Sequence, residues 1–281
     1  MACSEGVLSA GDAGEKGTHR RSGGQKAPAA CTMNPHPTPI EPAARPAWQT
    51  LDRVYCISVA ERLDRRRHAE SQFERIGLGG RVEFVIVQKH PTDSERGIFE
   101  SHQRCLRAGI AAGAKRIAIF EDDVVFDRFS PRRLGHAARF METSADWDLF
   151  LFGCFVTKIE KTPFPAVEKV RYHATTHGYV VHDVFARRLA ELPWCGVPYD
   201  VALRSVVAGR AFAVAPTFAF QDDSPTDNNK IIEMDRFRRR LGGTRRLQKL
   251  TEFWFRHPAA IIAGHVVVIG GLIGLVRWLW F

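Results

Sequence analysis

The run Ile117-Ala118-Ile119-Phe120 passes without a break into Glu121-Asp122-Asp123. Four apolar residues in a row suit a strand covered on both faces, the kind found inside a mostly parallel sheet. Three acids directly after it mark the place where that strand emerges at its carboxyl end, which is where open α/β sheets bind their ligands. The surrounding sequence repeats the same alternation from Arg53 onward. Val54 to Val59 predicts a first strand, Leu63 to Ile76 a basic amphipathic helix, Val82 to Val87 a second strand, and Gly97 to Ala112 a helix that buries Cys105, Leu106 and Ile110. Arg116 to Phe120 is the third strand. Beyond it, Leu149 to Phe152 and Tyr179 to Val181 read as strands, Val184 to Leu192 as a helix and Ala211 to Ala215 as a final strand. Short β-branched or aromatic runs alternating with helical stretches predict an α/β domain with a largely parallel sheet.

The 281 residues are 45% hydrophobic and 25% charged, ordinary values for a globular protein, and they suffice for one catalytic domain with appendages. Residues 1–47 are rich in Gly, Ala, Pro, Ser and Thr and hold no apolar run suited to a signal peptide, so a disordered extension is expected there. The catalytic domain is expected over 48–235. The net charge is +9, and nearly all of it lies between Arg236 and Arg256, where eight Arg and Lys face Glu252 alone. This basic stretch, 236–257, adjoins a terminal apolar segment, 258–281. From Pro258 to Val276 the only ionisable side chain is His265, and at ~1.5 Å per residue these 19 residues reach about 28 Å, near the thickness of a bilayer core. Trp278, Trp280 and Phe281 resemble an interfacial anchor, and the preceding cations suit a cytoplasmic, anionic leaflet. The expectation is a membrane-associated protein whose catalytic domain faces the cytoplasm. Nucleic acid is not an expected partner, because the cations lack an interleaved aromatic platform.

The six cysteines, Cys3, Cys31, Cys56, Cys105, Cys154 and Cys195, form no Cys-x-x-Cys pair and have no histidines at zinc spacing, so buried reduced thiols are expected. The acidic triplet has two readings on its own. Clustered carboxylates repel unless a cation or protons neutralise them, and Mg²⁺ or Mn²⁺ on a diphosphate is a natural counter-charge; a solvated acidic loop or helix start would also hold them.

Taken together, these segments resemble glycosyltransferase family 25, the group of bacterial lipopolysaccharide galactosyltransferases and the related procollagen galactosyltransferases. Val54-Tyr55-Cys56-Ile57-Ser58-Val59, followed by Arg62, Asp64, Arg65 and Arg66, is similar to the family's opening strand and its downstream Arg. Gly97-Ile98-Phe99-Glu100-Ser101-His102 resembles its Gly-x-x-x-Ser-His helix start, and Phe120-Glu121-Asp122-Asp123-Val124 its Glu-Asp-Asp motif. Trp147-Asp148-Leu149 through Gly153, Gly178-Tyr179-Val180-Val181 and Pro198-Tyr199-Asp200 continue the likeness, which runs from Arg53 to Gln221.

The resemblance implies a GT-A-like nucleotide-sugar-binding fold, a UDP-sugar donor, a Mn²⁺ or Mg²⁺ cofactor and inverting transfer of a hexose, galactose first, to a glycan or glycolipid such as lipopolysaccharide core. Asp123 and Glu121 would be the metal ligands. Asp122 would turn into the fold or hold the ribose, since neighbouring side chains on an extended chain point to opposite sides. Arg65 matches the family Arg and His102 would line the donor pocket, whereas Ser101 is expected to cap the helix. Ser58 stands at the donor-side turn where the family has Asn. Asp200 is the candidate base for the acceptor hydroxyl, with a helix N-cap as its alternative reading; Asp148 reads as structural, and His177, Gln221, Asp222 and Asp223 as acceptor-side residues. Two other functions use the same carboxylates: a metal-dependent phosphoryl or nucleotidyl transferase, against which stands the lack of a Walker-type loop, and a degenerate transferase fold acting as a membrane-bound binding module, which Ser58 keeps open.

Overall fold

A computed structural model of the chain describes residues 44–222, 224, 228 and 232–280, without the side chains of 278 and 279. Residues 1–43, Asp223, the side chain of Trp278 and Phe281 lie outside the described residues. The body begins earlier than expected, with a short helix α1 (Ala44–Trp48). Trp48 is fully buried and its indole N–H donates to the Ile76 carbonyl at 2.9 Å.

The strands predicted from apolar runs are present: β1 (Arg53–Val59), β2 (Val82–Val87), β3 (Arg116–Glu121), β5 (Leu149–Leu151), β8 (Gly178–His182) and β9 (Ala211–Val214). With β6 (Phe155–Lys161) and β7 (Val167–Ala174) they form one eight-stranded sheet in the order β2-β1-β3-β8-β5-β9-β7-β6. Six strands run in one direction, while β8 and β7 oppose their neighbours. The sheet is thus mostly parallel, as expected. Two short strands, β4 (Val124–Phe126) and β10 (Ala219–Gln221), pair antiparallel beside it. The last strand is therefore β10 and not the run ending at Ala215. Its three residues are too few to show a period.

Side-chain alternation divides the core between the two faces of the sheet. Ala118 and Phe120 of β3 pack with Trp48, Phe73 of α2 (Leu63–Arg75) and Phe140 of α4 (Pro131–Thr143). Ile117 and Ile119 pack with Phe99 and Leu106 of α3 (Ser94–Ala111), Phe185 of α5 (Asp183–Ala190) and Tyr199 of α6 (Tyr199–Val206). Helices on both faces explain why the central strands are apolar throughout. Cys56, Cys105 and Cys154 are free and buried, as expected of small hydrophobes, and Cys195 is free and exposed.

Two helices were not foreseen in the basic stretch, α7 (Ile232–Arg240) and α8 (Gly243–Arg256). α8 packs on the body through Gln248 and Glu252. Gln248 donates to the Ala219 carbonyl at 3.1 Å, and Glu252 accepts from the Thr217 backbone N–H at 2.8 Å and from Arg128 at 2.6 Å. After it comes α9 (Pro258–Trp280), which is exposed from Ile262 to Arg277 and, by length and composition, apolar enough to cross a bilayer.

The junction of β5, β8 and β10 tolerates no side chain at residue 153. A Cβ on Gly153 would fall 1.8 Å from the Ala219 carbonyl oxygen and 2.6 Å from His177 Nε2. The backbone of β10 cannot retreat without losing the Phe218 and Ala219 amide bonds to the Phe152 carbonyl. Gly153→Ala is expected to destabilise the protein by about 3 kcal/mol, read as a lower denaturant midpoint; an unchanged midpoint would mean that this contact is not present in solution.

Candidate active site

β1 and β3 end level with one another, Ile57 opposite Glu121, so whatever follows Glu121 leaves the sheet at its carboxyl edge. A cavity of about 330 Å³ opens there, between these strand ends, the loop after β2 (Lys89, His90) and the first turns of α3. Arg65, His102, Glu121, Asp122, Asp123 and Gln221 all line it. The sequence order that suggested one site is therefore also a spatial grouping.

Asp122 and Asp123 are both buried, and each has a carboxylate oxygen 3.6 Å from Arg65 Nη1. This corrects the expectation that Asp122 would point away from Asp123. The chain turns between β3 and β4, so the alternation of an extended strand no longer applies. Asp123 also accepts from the Gln221 amide at 2.9 Å, and the Asp222 N–H donates to the Asp123 carbonyl at 2.8 Å. Gln221 thus belongs with the acids and not with the acceptor side.

Glu121 keeps 28% of its side chain exposed, accepts from the Thr176 hydroxyl at 2.6 Å, and lies 3.7 Å from His102 Nε2. His102 is fully buried. Its ring stacks on Tyr199, with centroids 4.0 Å apart and planes 3° from parallel, and its Nδ1 meets the Tyr179 hydroxyl at 2.9 Å. A second hydroxyl contact, Tyr179 to Tyr199 at 3.0 Å, closes the cluster. The imidazole is thereby held with Nε2 directed to Glu121. Pro198-Tyr199-Asp200 drew attention in the sequence for its acid, but the tyrosine is what supports His102.

Burial and the neighbouring Glu121 charge push the Asp123 carboxyl up to about 7, against Arg65 and Gln221. Burial also raises Asp122, opposed by the Ser58 hydroxyl and Arg65. For Glu121, burial opposes ionisation, yet His102 and Thr176 outweigh it and hold this carboxyl below its usual value. One acid of the cluster is ionised at the expense of its neighbour, the mark of a site short of positive charge.

Several expectations change place. Ser58 is buried and does not itself line the cavity as Ile57 and Val59 do; its hydroxyl favours the ionised form of Asp122, which does, and accepts from Arg66 Nε at 3.3 Å. Ser101 does not cap α3. That helix starts at Ser94, capped by the Asp93 side chain, and the Ser101 hydroxyl donates back to the Gly97 carbonyl at 2.6 Å. Arg62 pairs with Asp64 at the surface. His177, expected on the acceptor side, is buried and donates from Nε2 to the Ala219 carbonyl at 3.1 Å, bracing β10. Asp148 lies beside Arg210, a structural contact as expected. Asp200 sits in the first turn of α6, outside the cavity lining, where it accepts the Thr175 N–H at 3.4 Å. Thr175 has φ 74°, a strained setting for a β-branched residue, directly before the Thr176 that holds Glu121. No sequence signal marked Thr175 or Thr176.

Ionising Asp123 in the ligand-free protein works against folding, because its folded pKa of about 7 lies above the unfolded carboxylate value. The native state therefore binds the extra proton between about pH 4 and 7, and stability falls as pH rises through that window. Asp123→Asn keeps an acceptor for Gln221 and removes the charge. It is expected to raise stability at pH 8 by roughly 1–3 kcal/mol, with the gain shrinking toward zero by about pH 4, measured by denaturant melts across pH. A destabilised Asp123→Asn protein at pH 8 would show that the carboxylate is well satisfied without a ligand.

No protein-family profile matches the chain. Among curated proteins it is similar to the human protein named inactive glycosyltransferase 25 family member 3, 28% identical over 181 residues, covering 53% of this chain and 30% of the relative. It is also similar to a glycosyltransferase 25 family member of Drosophila pseudoobscura pseudoobscura, 27% identical over 161 residues, covering 47% and 26%. The chain thus spans less than a third of the length of these relatives. Of the solved structures, A197 from STIV aligns over 60% of this chain and 85% of its own at TM-score 0.41 and 14% identity. A glycosyltransferase involved in glycosylation of the major capsid of PBCV-1 aligns over 66% and 99% at TM-score 0.39 and 12% identity. At those scores the fold stands on its own strand order. The sequence likeness is to curated proteins named as glycosyltransferase 25 family members.

Proposed function

We propose that the chain transfers a hexose, galactose first, from a UDP-sugar to a hydroxyl of a glycan or glycolipid, with a divalent cation and inversion at the anomeric carbon. The observation that carries this reading is a pair of buried oxygens, Asp122 Oδ2 and Asp123 Oδ1, that have no hydrogen-bond partner among the described residues and belong to acids lining the cavity. Leaving a buried carboxylate oxygen unpaired costs free energy, so a fold retains one where a ligand completes it.

The donor set is all oxygen, which suits Mg²⁺ or Mn²⁺. Among the described residues no three His, Cys, Asp or Glu side chains gather closely enough to hold a metal alone. Such a cation would be shared with the donor's phosphates, as Mg²⁺ sites commonly are. Asp123, Asp122 and the exposed side of Glu121 would hold it, and when bound it neutralises charge on the departing diphosphate. Arg65, which lines the same cavity 3.6 Å from both acids, would contribute a cation toward the same phosphates. His102 fixes Glu121, and Gln221 fixes Asp123. Asp200 remains our base for the acceptor hydroxyl: it follows Tyr199 in the first turn of α6, and Tyr199 stacks on the His102 that lines the cavity. The acceptor itself is expected to be lipid-linked, with the protein attached to the membrane through α9 and its catalytic body in the cytoplasm. The human relative's name favours one second reading, a non-catalytic nucleotide-binding module.

Incubation of the full-length protein with UDP-galactose, Mn²⁺ and lipopolysaccharide core should give steady UDP release. Asp123→Ala is expected to lower kcat/KM by roughly 100-fold or more, and Asp200→Asn to lower kcat by roughly 100-fold or more with nucleotide affinity nearly unchanged. Metal-dependent UDP binding without turnover over a panel of acceptors would favour the binding module. Cleavage between the phosphates, or full activity of Asp123→Ala, would rule out the proposed mechanism.

A further inference from the structure

α8 is amphipathic in the sense opposite to that of a helix on a soluble body. Its fully buried side chains are polar, Thr244, Gln248 and Glu252, spaced by four, with the half-buried Phe255 packing against the core beside them. Gln248 bonds to Thr217 and Ala219, while Glu252 bonds to Thr217, Arg128 and Arg256. Its outer face is apolar, with Leu250 53%, Phe253 53% and Trp254 48% exposed. A surface helix normally buries the apolar stripe and wets the polar one. α7 extends the pattern, exposing Met234, Phe237 and, just past its end, Leu241 at spacings of three and four.

Two further observations identify what covers this face. The first is charge. Lys249, Arg239 and Arg256 are neutralised by Asp127, Asp235 and Glu168, but Arg236, Arg238, Arg240, Arg245 and Arg246 form no ion pair among the described residues. Exposed cations flanking an exposed apolar stripe match an anionic lipid surface. The second is continuity with α9. The Trp254 ring meets His265 with centroids 5.6 Å apart, and His265 lies about 10 Å along α9 from its start. If α9 enters a bilayer, Trp254 enters with it.

We propose that the apolar faces of α7 and α8 form a membrane-docking surface that lies in the headgroup–acyl boundary of an anionic bilayer and holds the catalytic body in one orientation. This rests on the reading of α9 as a membrane segment, and the test separates the two. In a full-length protein carrying Cys3→Ser, Cys31→Ser and Cys195→Ser, single spin labels are placed through Leu250→Cys, Phe253→Cys, Val268→Cys in α9 and Glu70→Cys on the exposed side of α2. Accessibility to oxygen and to a polar nickel chelate is then measured in vesicles of phosphatidylcholine with and without about a third phosphatidylglycerol.

With the anionic lipid, labels at 250 and 253 are expected to favour oxygen at a shallow depth, roughly 5–10 Å into the boundary, with 268 deeper and 70 in water. Removing phosphatidylglycerol should shift 250 and 253 toward water and leave 268 in place. Water-like labels at 250 and 253 with 268 still buried would overturn the docking surface alone. Labels at 250 and 253 closed to both reagents would also overturn it, since that indicates a protein contact such as a second copy. Lipid-facing labels at 250 and 253 with 268 in water would sustain the surface and refute the reading of α9.

Discussion

Arg65 stands 3.6 Å from both Asp122 and Asp123, and the candidate site depends on that shared charge. Burying two carboxylates without a cation would cost several kcal/mol, so the turn between β3 and β4 is tenable because α2 delivers a guanidinium to it. The guanidinium does not form a close pair with either acid. It stands equally far from both, and one oxygen of each acid has no hydrogen-bond partner among the described residues. A full, close pairing would make the acids inert; loose sharing keeps them available to an incoming ligand while the protein remains folded.

How much of this was legible in the sequence follows from what each residue depends on. β3 and its acids could be read because an apolar run ending in charge has one sensible place in a parallel sheet. The order of Arg65, His102 and the acids could be read as a motif, and the structure brings those side chains to one cavity. Three kinds of feature could not be read. Ser101 was misassigned because helix starts are set by one capping side chain, and Asp93 outcompetes it four residues before the expected start. Asp122 was misdirected because strand alternation was carried one residue beyond the strand. Thr176 and Tyr199 were missed because their roles are contacts across 55 and 97 residues of chain, to Glu121 and His102, which no local pattern announces.

The basic stretch shows a different kind of limit. Composition located the charge correctly, but it could not separate cations spent inside the protein from those left outside. Arg256 is half of a buried network with Glu168 and Glu252, and Lys249 is paired with Asp127. What remains outward is Arg236, Arg240, Arg245 and Arg246 together with Phe237, Leu250, Phe253 and Trp254. The polarity of α8 is visible only once its neighbours are known. A helix with Gln and Glu on one side and Leu, Phe and Trp on the other looks like an ordinary amphipathic helix until the structure shows which side is covered.

That polarity ties the outer surface to the chemistry through very few atoms. Gln248 and His177 both donate to the Ala219 carbonyl, and Ala219 is two residues from Gln221, which holds Asp123. At ~3.3 Å per residue the strand carries this link over about 7 Å. The same short β10 therefore carries α8 at one residue and braces Asp123 at another, so a shift of α8 would be felt at the acids through one carbonyl and one amide.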